Sequence, residues 1–341
     1  MSAQLSGSYL LTEDLGEKVI KIRHLGLKTP EPDSQFIETI QDELANVLQD
    51  AIGVETPVVR LKMRDIADEV LGEIHELYGD KVLVVSTCPE ITQPVLGISV
   101  EVNRLVDSYG NSLGLGPRPG HIDLHSQFAS IAARSRSGGK STPVVLAEDG
   151  IFKGETMMYV VRGLQEAGVN VVGIVAGFSY SNAPMEEIRE TLGVPVHVMR
   201  ELGPILDWVP DHDFLPFVPG CGKVLGVKFG KRLSPFYSRE QATFCMPYIS
   251  PHSPVSKWAT IPQDKVEDFS RRCRALARDL FGEIERLNPN KVPLTIGDII
   301  HSKQRVSIPI PLDVKGQEQS YRFPETKSRI TAVLSRDIPK L

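Results

Sequence analysis

The middle of the chain alternates short apolar runs with amphipathic stretches, and this alternation constrains the fold more than any other feature of the sequence. Apolar runs at residues 143–147, 169–176 and 194–199 predict strands, and the stretches at 155–167 and 185–192 predict helices between them. Strand–helix–strand units of this length build a parallel sheet with right-handed crossovers. The sequence therefore predicts an α/β fold with a central parallel sheet flanked by helices.

The chain that precedes this alternation is predicted to be mostly helical. Apolar residues three and four positions apart predict helices over residues 34–50 and about 61–78. An apolar, β-branched run at 81–85 predicts the first strand of the sheet, and another helix is predicted between residues 94 and 107. The Gly-, Ser- and Pro-rich stretch from 108 to 142 predicts a long loop with one or two helical turns.

After the last predicted strand of the sheet the regular pattern dissolves into Pro- and Gly-rich sequence. One amphipathic helix is predicted from about Pro262 to Leu287, and we expect it to pack against the core or a second subunit. A proline-punctuated tail follows, with two candidate short strands at residues 305–310 and 330–334. This part of the chain is therefore predicted to be an α+β extension.

Length and composition narrow the class of protein. With 341 residues, we expect an N-terminal helical segment (1–80), an α/β core (81–206) and a hood-like loop with the C-terminal extension (207–341). Basic and acidic side chains nearly cancel, 38 against 43, which argues against a nucleic-acid partner. The sequence has no membrane-spanning apolar run and no signal-peptide pattern, and its four cysteines are isolated. These features favour a cytoplasmic enzyme.

One segment has the pattern of a ligand-binding site. The apolar residues 144–147 are followed by the carboxylates Glu148 and Asp149, a short loop at 150–153, and Gly154-Glu155-Thr156 at the start of a helix. Ligands of open α/β sheets bind beyond the carboxyl ends of the strands, and a helix N-terminus attracts phosphate. Carboxylates accept hydrogen bonds from the two hydroxyl groups of a vicinal diol. A diol site beside a phosphate site fits a ribose 5-phosphate. The alternative is an ordinary strand-to-helix turn with acidic residues on its surface.

This segment resembles the signature of the type I phosphoribosyltransferases: an apolar strand, two acidic residues, four loop residues and Gly-x-Thr. The resemblance implies that Glu148 and Asp149 are catalytic and hold the ribose hydroxyls of phosphoribosyl pyrophosphate. It also implies a Mg²⁺ ion, with Asp149 as a ligand, either directly or through water. The residues that would cradle the ribose and its 5-phosphate also include Gly150, Ile151, Phe152, Lys153, Gly154, Glu155 and Thr156.

Two positions depart from the family pattern. Oxopurine-salvage members carry an acidic residue where this chain has Phe152, which argues against hypoxanthine or guanine as the acceptor. Lys153 replaces the usual Thr. Its ammonium group either strengthens phosphate binding as a point charge or simply points into solvent, and both interpretations remain open.

The loop after the first core strand matches the family only by position. In the family this loop wraps the pyrophosphate, and here it would present Ser86, Thr87 and Cys88. The hydroxyls suit an anion, but a basic residue often found there is missing. Glu90 would repel pyrophosphate unless it contacts Mg²⁺.

The family's mobile flap corresponds in position to the Gly-rich region before residue 143. Arg134, Arg136 and Lys140 supply three cations there, as a flap that closes over pyrophosphate requires. A solvated basic loop is the alternative. The nearby stretch from His121 to His125 carries polar groups at alternate positions. Two histidines with no third ligand nearby are more typical of a solvated loop than of a metal site.

Aromatic residues after the sheet are candidates for acceptor binding. Family members place a hood over the acceptor, and Trp208, Val209 and Phe214 occupy a matching position in this sequence. An aromatic ring stacks favourably on a flat heterocycle. A small hydrophobic core containing the same residues is the alternative.

The resemblance implies a homodimeric phosphoribosyltransferase. With Mg²⁺ it would transfer the phosphoribosyl group of phosphoribosyl pyrophosphate to a nitrogenous, unusual heterocyclic acceptor and release pyrophosphate. Two alternatives keep the same pocket. One is a non-catalytic regulator that binds the phosphoribosyl ligand or a nucleotide, and the other is an enzyme that cleaves or exchanges a base on a ribose phosphate.

Overall fold

The computed structural model describes residues 7–92, 98–137, 141–230, 232–238, 241–299, 306–312 and 326–335. In the first half of the chain the elements are β1 (Ser8–Glu13), α1 (Leu15–Ile20), α2 (Gln35–Ile52), β2 (Val58–Lys62), α3 (Met63–Tyr78), β3 (Leu83–Ser86), α4 (Pro89–Thr92), β4 (Val102–Val106), β5 (Ser112–Pro117), α5 (Leu124–Ser135), β6 (Val144–Ile151) and α6 (Glu155–Glu166). In the second half they are β7 (Val171–Ser179), α7 (Ala183–Leu192), β8 (Val196–Glu201), β9 (Ile205–Pro210), β10 (Lys223–Phe229), β11 (Arg232–Pro235), β12 (Thr243–Met246), α8 (Val255–Trp258), α9 (Val266–Leu287), α10 (Ile296–Ile299), β13 (Ser307–Pro309) and α11 (Ile330–Leu334).

The chain divides into two compact units, each built from separate stretches of sequence. Unit 1 comprises Met1–Arg60, Asn103–Gly120 and Leu206–Leu341, and unit 2 comprises Leu61–Val102 and His121–Ile205. Unit 2 thus begins before the α/β core expected at residues 81–206, because helix α3 packs on strands β6 and β7.

Unit 2 contains a four-stranded parallel sheet in the order β3-β6-β7-β8. Residues 144–147 of β6 and most of β7 are apolar and buried, as expected for strands covered on both faces. Helix α3 packs closely on this sheet. A Cβ atom added at Gly177 of β7 would lie only 2.4 Å from the side chain of Ile66 in α3. The prediction of an α/β fold with a parallel sheet is confirmed for this unit.

Unit 1 contains a three-stranded sheet, β2-β1-β9, and a six-stranded sheet in which β13-β12-β10-β4-β5 form the path and β11 pairs with β10. The predicted C-terminal helix is present as the 22-residue α9. Its apolar face, including Phe269, Cys273 and Leu280, is buried, and α9 packs against α2 and α11. Within the described residues, no helix is long and apolar enough to cross a membrane.

Several local predictions were wrong. The helix expected between residues 94 and 107 is instead strand β4, although residues 93–97 lie outside the described part of the chain. Leu105 of β4 pairs with Val224 of β10, far away in sequence, and this pairing overrides the local apolar spacing. The long loop expected at 108–142 contains both β5 and the three-turn helix α5.

The C-terminal part of the chain also has more regular structure than its sequence indicates. Strands β9 to β12 occupy the region after Leu206 that was expected to be loop. Residues 330–334, expected to be a strand, form helix α11. Ile330 and Leu334 are buried one helical turn apart, so packing determines the structure of this β-branched run.

Candidate functional site

The acidic pair lies on the second strand of the sheet of unit 2. Strand β3 ends at Ser86, which is in register with Ala147 of β6, so Glu148 and Asp149 extend past the end of β3. On the other side, Glu148 is in register with Ala176 of β7. Both acidic residues are half-buried. The structure therefore places two carboxyl groups at the carboxyl edge of a parallel sheet, where ligands of such folds bind.

Strand β6 continues further than the sequence predicts. The strand was expected to end at Ala147, but it runs to Ile151, so Gly150 and Ile151 are strand residues and not loop residues. A Cβ atom at position 150 would lie 2.4 Å from the ring of Phe178. Only glycine lets these two neighbouring strands approach as they do. The backbone N–H of Gly150 donates a hydrogen bond of 2.8 Å to Oδ1 of Asp149 and fixes that carboxylate.

A short loop leads from β6 to the N-terminus of α6. Gly154 has a φ angle of +71°, a left-handed conformation that favours glycine, and it is the N-cap of the helix. No side chain caps this end, and Glu155 and Thr156 form the first turn. The first backbone N–H groups of an α-helix have no partner within the helix. The start of α6 is therefore a suitable phosphate site beside the two carboxylates.

Two other loop residues differ in their surroundings. Lys153 is exposed, which agrees with either interpretation of its side chain. Phe152 is half-buried against Tyr180, with the ring centroids 4.7 Å apart and the planes tilted by 41°. Tyr180 directly follows β7, so an aromatic pair lies at this edge of the sheet. Tyr180 was not predicted from the sequence, although its position just after the next predicted strand is a signal.

The loop expected to bind pyrophosphate adjoins the acidic pair. The Ser86 hydroxyl donates to the carbonyl of Ala147 at 3.0 Å, and the Thr87 N–H contacts the same carbonyl at 3.3 Å. Cys88 donates its N–H to the Ser86 hydroxyl at 3.0 Å, and its Sγ lies 3.5 Å from Oε2 of Glu90. These hydrogen bonds hold the loop directly beside the start of the acidic pair.

A buried glutamate at the same edge of the sheet was not identified from the sequence. The backbone at Ser99 pairs with the end of β3 on the side away from β6, and Glu101 follows two residues later. Glu101 accepts a 2.8 Å hydrogen bond from Ser99, and its carboxylate lies 3.9 Å from Nε2 of His121. His121 belongs to the histidine stretch expected to be a solvated loop.

Of the residues expected in the flap, Arg136 is not brought to this edge. Arg134 lies in the last turn of α5, and Lys140 lies outside the described residues. Arg136 donates to the carbonyls of Ala167 and Gly168, at 2.8 and 3.2 Å. Those carbonyls precede β7 and so lie at the amino edge of the sheet, opposite the acidic pair. The placement of Arg136 gives no support to the expected role of closing over pyrophosphate.

The residues expected to bind the acceptor belong to unit 1. Val209 and Phe214 are fully buried, and the ring of Phe214 lies 5.1 Å from that of Phe269. Trp208 is partly exposed and its Nε1 donates to the hydroxyl of Thr12 at 3.2 Å. This arrangement corresponds to the hydrophobic core that the sequence left open as an alternative, and a role of these residues in acceptor binding stays a prediction.

Unit 1 also contains a buried charged cluster. Asp14 lies 2.6 Å from Nδ1 of His212 and 3.4 Å from the ammonium group of Lys18. Burial alone would raise the pKa of Asp14, but the charges of His212 and Lys18 outweigh it and hold that pKa well below its usual range. Burial and the charge of Asp14 raise the pKa of Asp211. Asp14, Asp211 and His212 are close enough together to hold a metal ion. Their mutual contacts, however, already account for the arrangement.

No family model matches the chain. Over 91 residues it is 29% identical to an orotate phosphoribosyltransferase of Staphylococcus epidermidis, in an alignment that covers 24% of this chain and 45% of that relative. The chain thus spans about half the length of the curated relative it matches.

Solved phosphoribosyltransferases also match, at low identity. Orotate phosphoribosyltransferase of Mycobacterium tuberculosis, in complex with phosphoribosyl pyrophosphate, is 15% identical with a TM-score of 0.24, covering 53% of this chain and 94% of that one. Adenine phosphoribosyltransferase of Rhodothermus marinus is 16% identical with a TM-score of 0.26, covering 56% and 99%.

The acidic pair at the carboxyl edge of a parallel sheet, followed by a glycine-capped helix, has the arrangement on which the resemblance to the type I phosphoribosyltransferases rests. The chain is distantly related to the orotate phosphoribosyltransferases over part of its length. The resemblance stated from the sequence is confirmed at this level.

Proposed function

We propose that this protein is a phosphoribosyltransferase. It binds phosphoribosyl pyrophosphate at the carboxyl edge of unit 2, transfers the phosphoribosyl group to a nitrogenous heterocyclic acceptor and releases pyrophosphate. The observation that carries the proposal is the position of Glu148 and Asp149, on a strand that leads within a few residues into the N-terminus of α6 at Gly154. A diol site beside a phosphate site matches the two ends of a ribose 5-phosphate.

Each part of the site has a distinct task. The carboxylates of Glu148 and Asp149 accept hydrogen bonds from the ribose hydroxyls, and their negative charge stabilises the positive charge that develops at the anomeric carbon. The backbone N–H groups at the start of α6 bind the 5-phosphate. The loop of Ser86 to Cys88 lies where the leaving pyrophosphate would be held. Catalysis then depends chiefly on positioning the two reactants.

The residues of the site fit a Mg²⁺ ion. Mg²⁺ prefers oxygen ligands and is usually bound through one or two carboxylates together with substrate phosphates. Glu148 and Asp149 supply carboxylate oxygens at a half-buried edge, and Asp149 is held in place by its hydrogen bond from Gly150. Asp149 would hold the ion, directly or through water. When bound, the ion would neutralise charge on the pyrophosphate.

The acceptor site proposed here differs in chemistry from an oxopurine site. Phe152 and Tyr180 form an aromatic pair where the carboxylate of an oxopurine-salvage enzyme would stand. An aromatic surface of this kind suits stacking on a flat ring and supplies no carboxylate base. We therefore propose an acceptor nitrogen that attacks without proton removal by a side chain at position 152.

Calorimetric titration with phosphoribosyl pyrophosphate and Mg²⁺ tests the proposal. The double variant Glu148→Gln/Asp149→Asn should lose most of its affinity, because the neutral amides no longer attract the ribose hydroxyls or the ion. The control is Asp68→Asn/Glu76→Gln, which makes the same change of charge on the exposed face of α3 and should bind like the wild type. Equal binding by the two double variants would refute the proposed site.

A non-catalytic phosphoribosyl- or nucleotide-binding regulator is the second candidate. Two observations favour it: Phe152 is not acidic, and Glu90 is buried in the loop expected to bind pyrophosphate, where its charge would repel that anion. Release of pyrophosphate upon incubation with a panel of heterocyclic bases separates the candidates. An enzyme releases pyrophosphate with at least one base, whereas a regulator binds the ligand and releases none.

A further inference from the structure

One lysine of unit 1 is half-buried against aromatic rings and has no part in the proposed function. Lys223 is the first residue of β10, and Leu225, which lies on the same face of that strand, belongs to a hydrophobic cluster. The Nζ atom of Lys223 lies 3.8 Å from the centre of the Trp258 ring and 5.5 Å from that of Tyr248. The centres of these two rings are 5.4 Å apart, and their planes are tilted by 56°. The end of the Lys223 side chain is therefore placed against two aromatic surfaces.

The carboxylates that act on Lys223 are bound to other groups. Asp213 accepts a 2.7 Å hydrogen bond from the backbone N–H of Gly222, and Asp207 accepts one of 2.7 Å from the hydroxyl of Thr260. Within the described part of the chain, no carboxylate lies within ion-pair distance of the Lys223 nitrogen. This amine is therefore not held in its charged form by an ion pair with a described residue.

The surroundings of Lys223 favour the neutral amine. Burial is the largest cause that lowers the pKa of Lys223 to about 8; the charges of Arg104 and Lys257 act in the same direction, and those of Asp213 and Asp207 oppose them. The rings attract the ammonium form, so the lowered pKa arises from the loss of water around the nitrogen. At pH 7 an amine with this pKa is about 9% neutral, against about 0.03% for a lysine with the ordinary pKa of 10.5. Only the neutral amine has the free electron pair that a nucleophile needs.

We propose that Lys223 is a nucleophilic lysine that forms an imine with a small aldehyde. The neutral amine attacks the carbonyl carbon, a C–N bond forms, and a proton passes from the nitrogen to the oxygen to give a carbinolamine. Loss of water then breaks the C–O bond and leaves a C=N bond. Amine and aldehyde thus become imine and one water molecule, with no oxidation or reduction.

The aromatic rings suit the product as well as the reactant. A protonated imine keeps a positive charge on the nitrogen, so the faces of Trp258 and Tyr248 attract it as they attract the ammonium. Because the Lys223 side chain is only partly exposed, the partner must be small. The inference is independent of the proposed function, because Lys223 lies in unit 1 and the proposed phosphoribosyl site lies in unit 2.

Trapping of the imine tests the proposal on the wild-type protein. The protein is treated with limiting acetaldehyde and cyanoborohydride, which reduces an imine to a stable amine, and mass spectrometry of the peptides locates the adduct. At pH 7 we expect Lys223 to be modified about tenfold or more faster than the exposed Lys257 of the same unit. The ratio of the two rates should decline toward about pH 10, where ordinary lysines also lose their protons. Modification of Lys223 no faster than that of Lys257 at pH 7 would overturn the proposal.

Variants of the rings provide the second measurement. Trp258→Ala lets water reach the Lys223 nitrogen and should raise the pKa of Lys223, so the excess of its rate over that of Lys257 at pH 7 should fall severalfold. Trp258→Phe is the matched control, because it keeps an aromatic surface and should retain most of the excess. Where circular dichroism shows that Trp258→Ala does not fold, Tyr248→Ala and Tyr248→Phe make the same comparison at the second ring. An equal excess in the folded alanine and phenylalanine variants would contradict the proposal.

Discussion

Replacement of Gly154 by alanine tests how the conformation of the loop before α6 supports the site. At a φ angle of +71° an L-residue is strained, which costs about 1–2 kcal/mol. The new methyl group would also lie 3.2 Å from Cδ1 of the buried Ile188, a contact tighter than normal packing. Crowding of this kind adds about 1 kcal/mol, because Ile188 must shift within a packed interior. We therefore expect Gly154→Ala to lower the free energy of unfolding by about 2–3 kcal/mol.

The matched control is Gly193→Ala at the C-terminal end of α7. Gly193 has a similar φ angle of +66°, but no atom lies within 4 Å of its Cβ position, so this variant pays the backbone cost alone. Urea unfolding of both variants measures the difference, and calorimetry with phosphoribosyl pyrophosphate measures the site. Gly154→Ala should be the less stable of the two and should bind the ligand more weakly. Equal stability together with unchanged binding would refute the role assigned to Gly154.

Three further predictions concern stability. Burial lowers the pKa of His252 to about 4, below its ordinary value, so the unfolded chain takes up a proton first as the pH falls from about 6.5 to 4. The free energy of unfolding should therefore fall by about 2 kcal/mol over that pH window, less than the whole pKa difference would give, because the imidazole is partly exposed. In urea titrations across the same pH range, the His252→Gln variant should show a smaller fall. Gly150→Ala should cost about 1–3 kcal/mol because its Cβ would overlap the Phe178 ring, and the second change Phe178→Leu should recover part of this loss in a double-mutant cycle. Glu69→Gln, which breaks a partly exposed ion pair with Arg200, should change the unfolding free energy by less than about 1 kcal/mol, and a larger loss would show that the pair is structurally essential.

The alternating core was predictable because its signals are local. Strands β6, β7 and β8 and helices α6 and α7 each have an apolar pattern with a single period, and turn residues separate them. The acidic pair and Gly154 were predictable for the same reason, since strand, carboxylates, glycine and helix follow one another directly. Helix α2 likewise begins after Ser34, whose hydroxyl accepts from the Ile37 N–H.

The parts that were mispredicted depend on contacts between distant residues. Strand β4 exists because β10 pairs with it across more than a hundred residues of sequence, and no local pattern reveals that pairing. In the extra length of β6, Gly150 pairs with Phe178 of the neighbouring strand, whose ring packs over it. The proximity of Glu101 and His121 requires the chain to return to the edge of β3. The local motif of the site is therefore visible in the sequence, whereas the residues that the fold adds around it are not.

The most direct test of the account is a crystal structure of the protein with phosphoribosyl pyrophosphate and Mg²⁺. The account predicts the ribose hydroxyls within hydrogen-bond distance of Glu148 and Asp149. It places the 5-phosphate on the backbone N–H groups at the start of α6. A ligand bound elsewhere on the protein, or one that leaves both carboxylates without contact, would contradict the assignment of unit 2 as a phosphoribosyl-binding core.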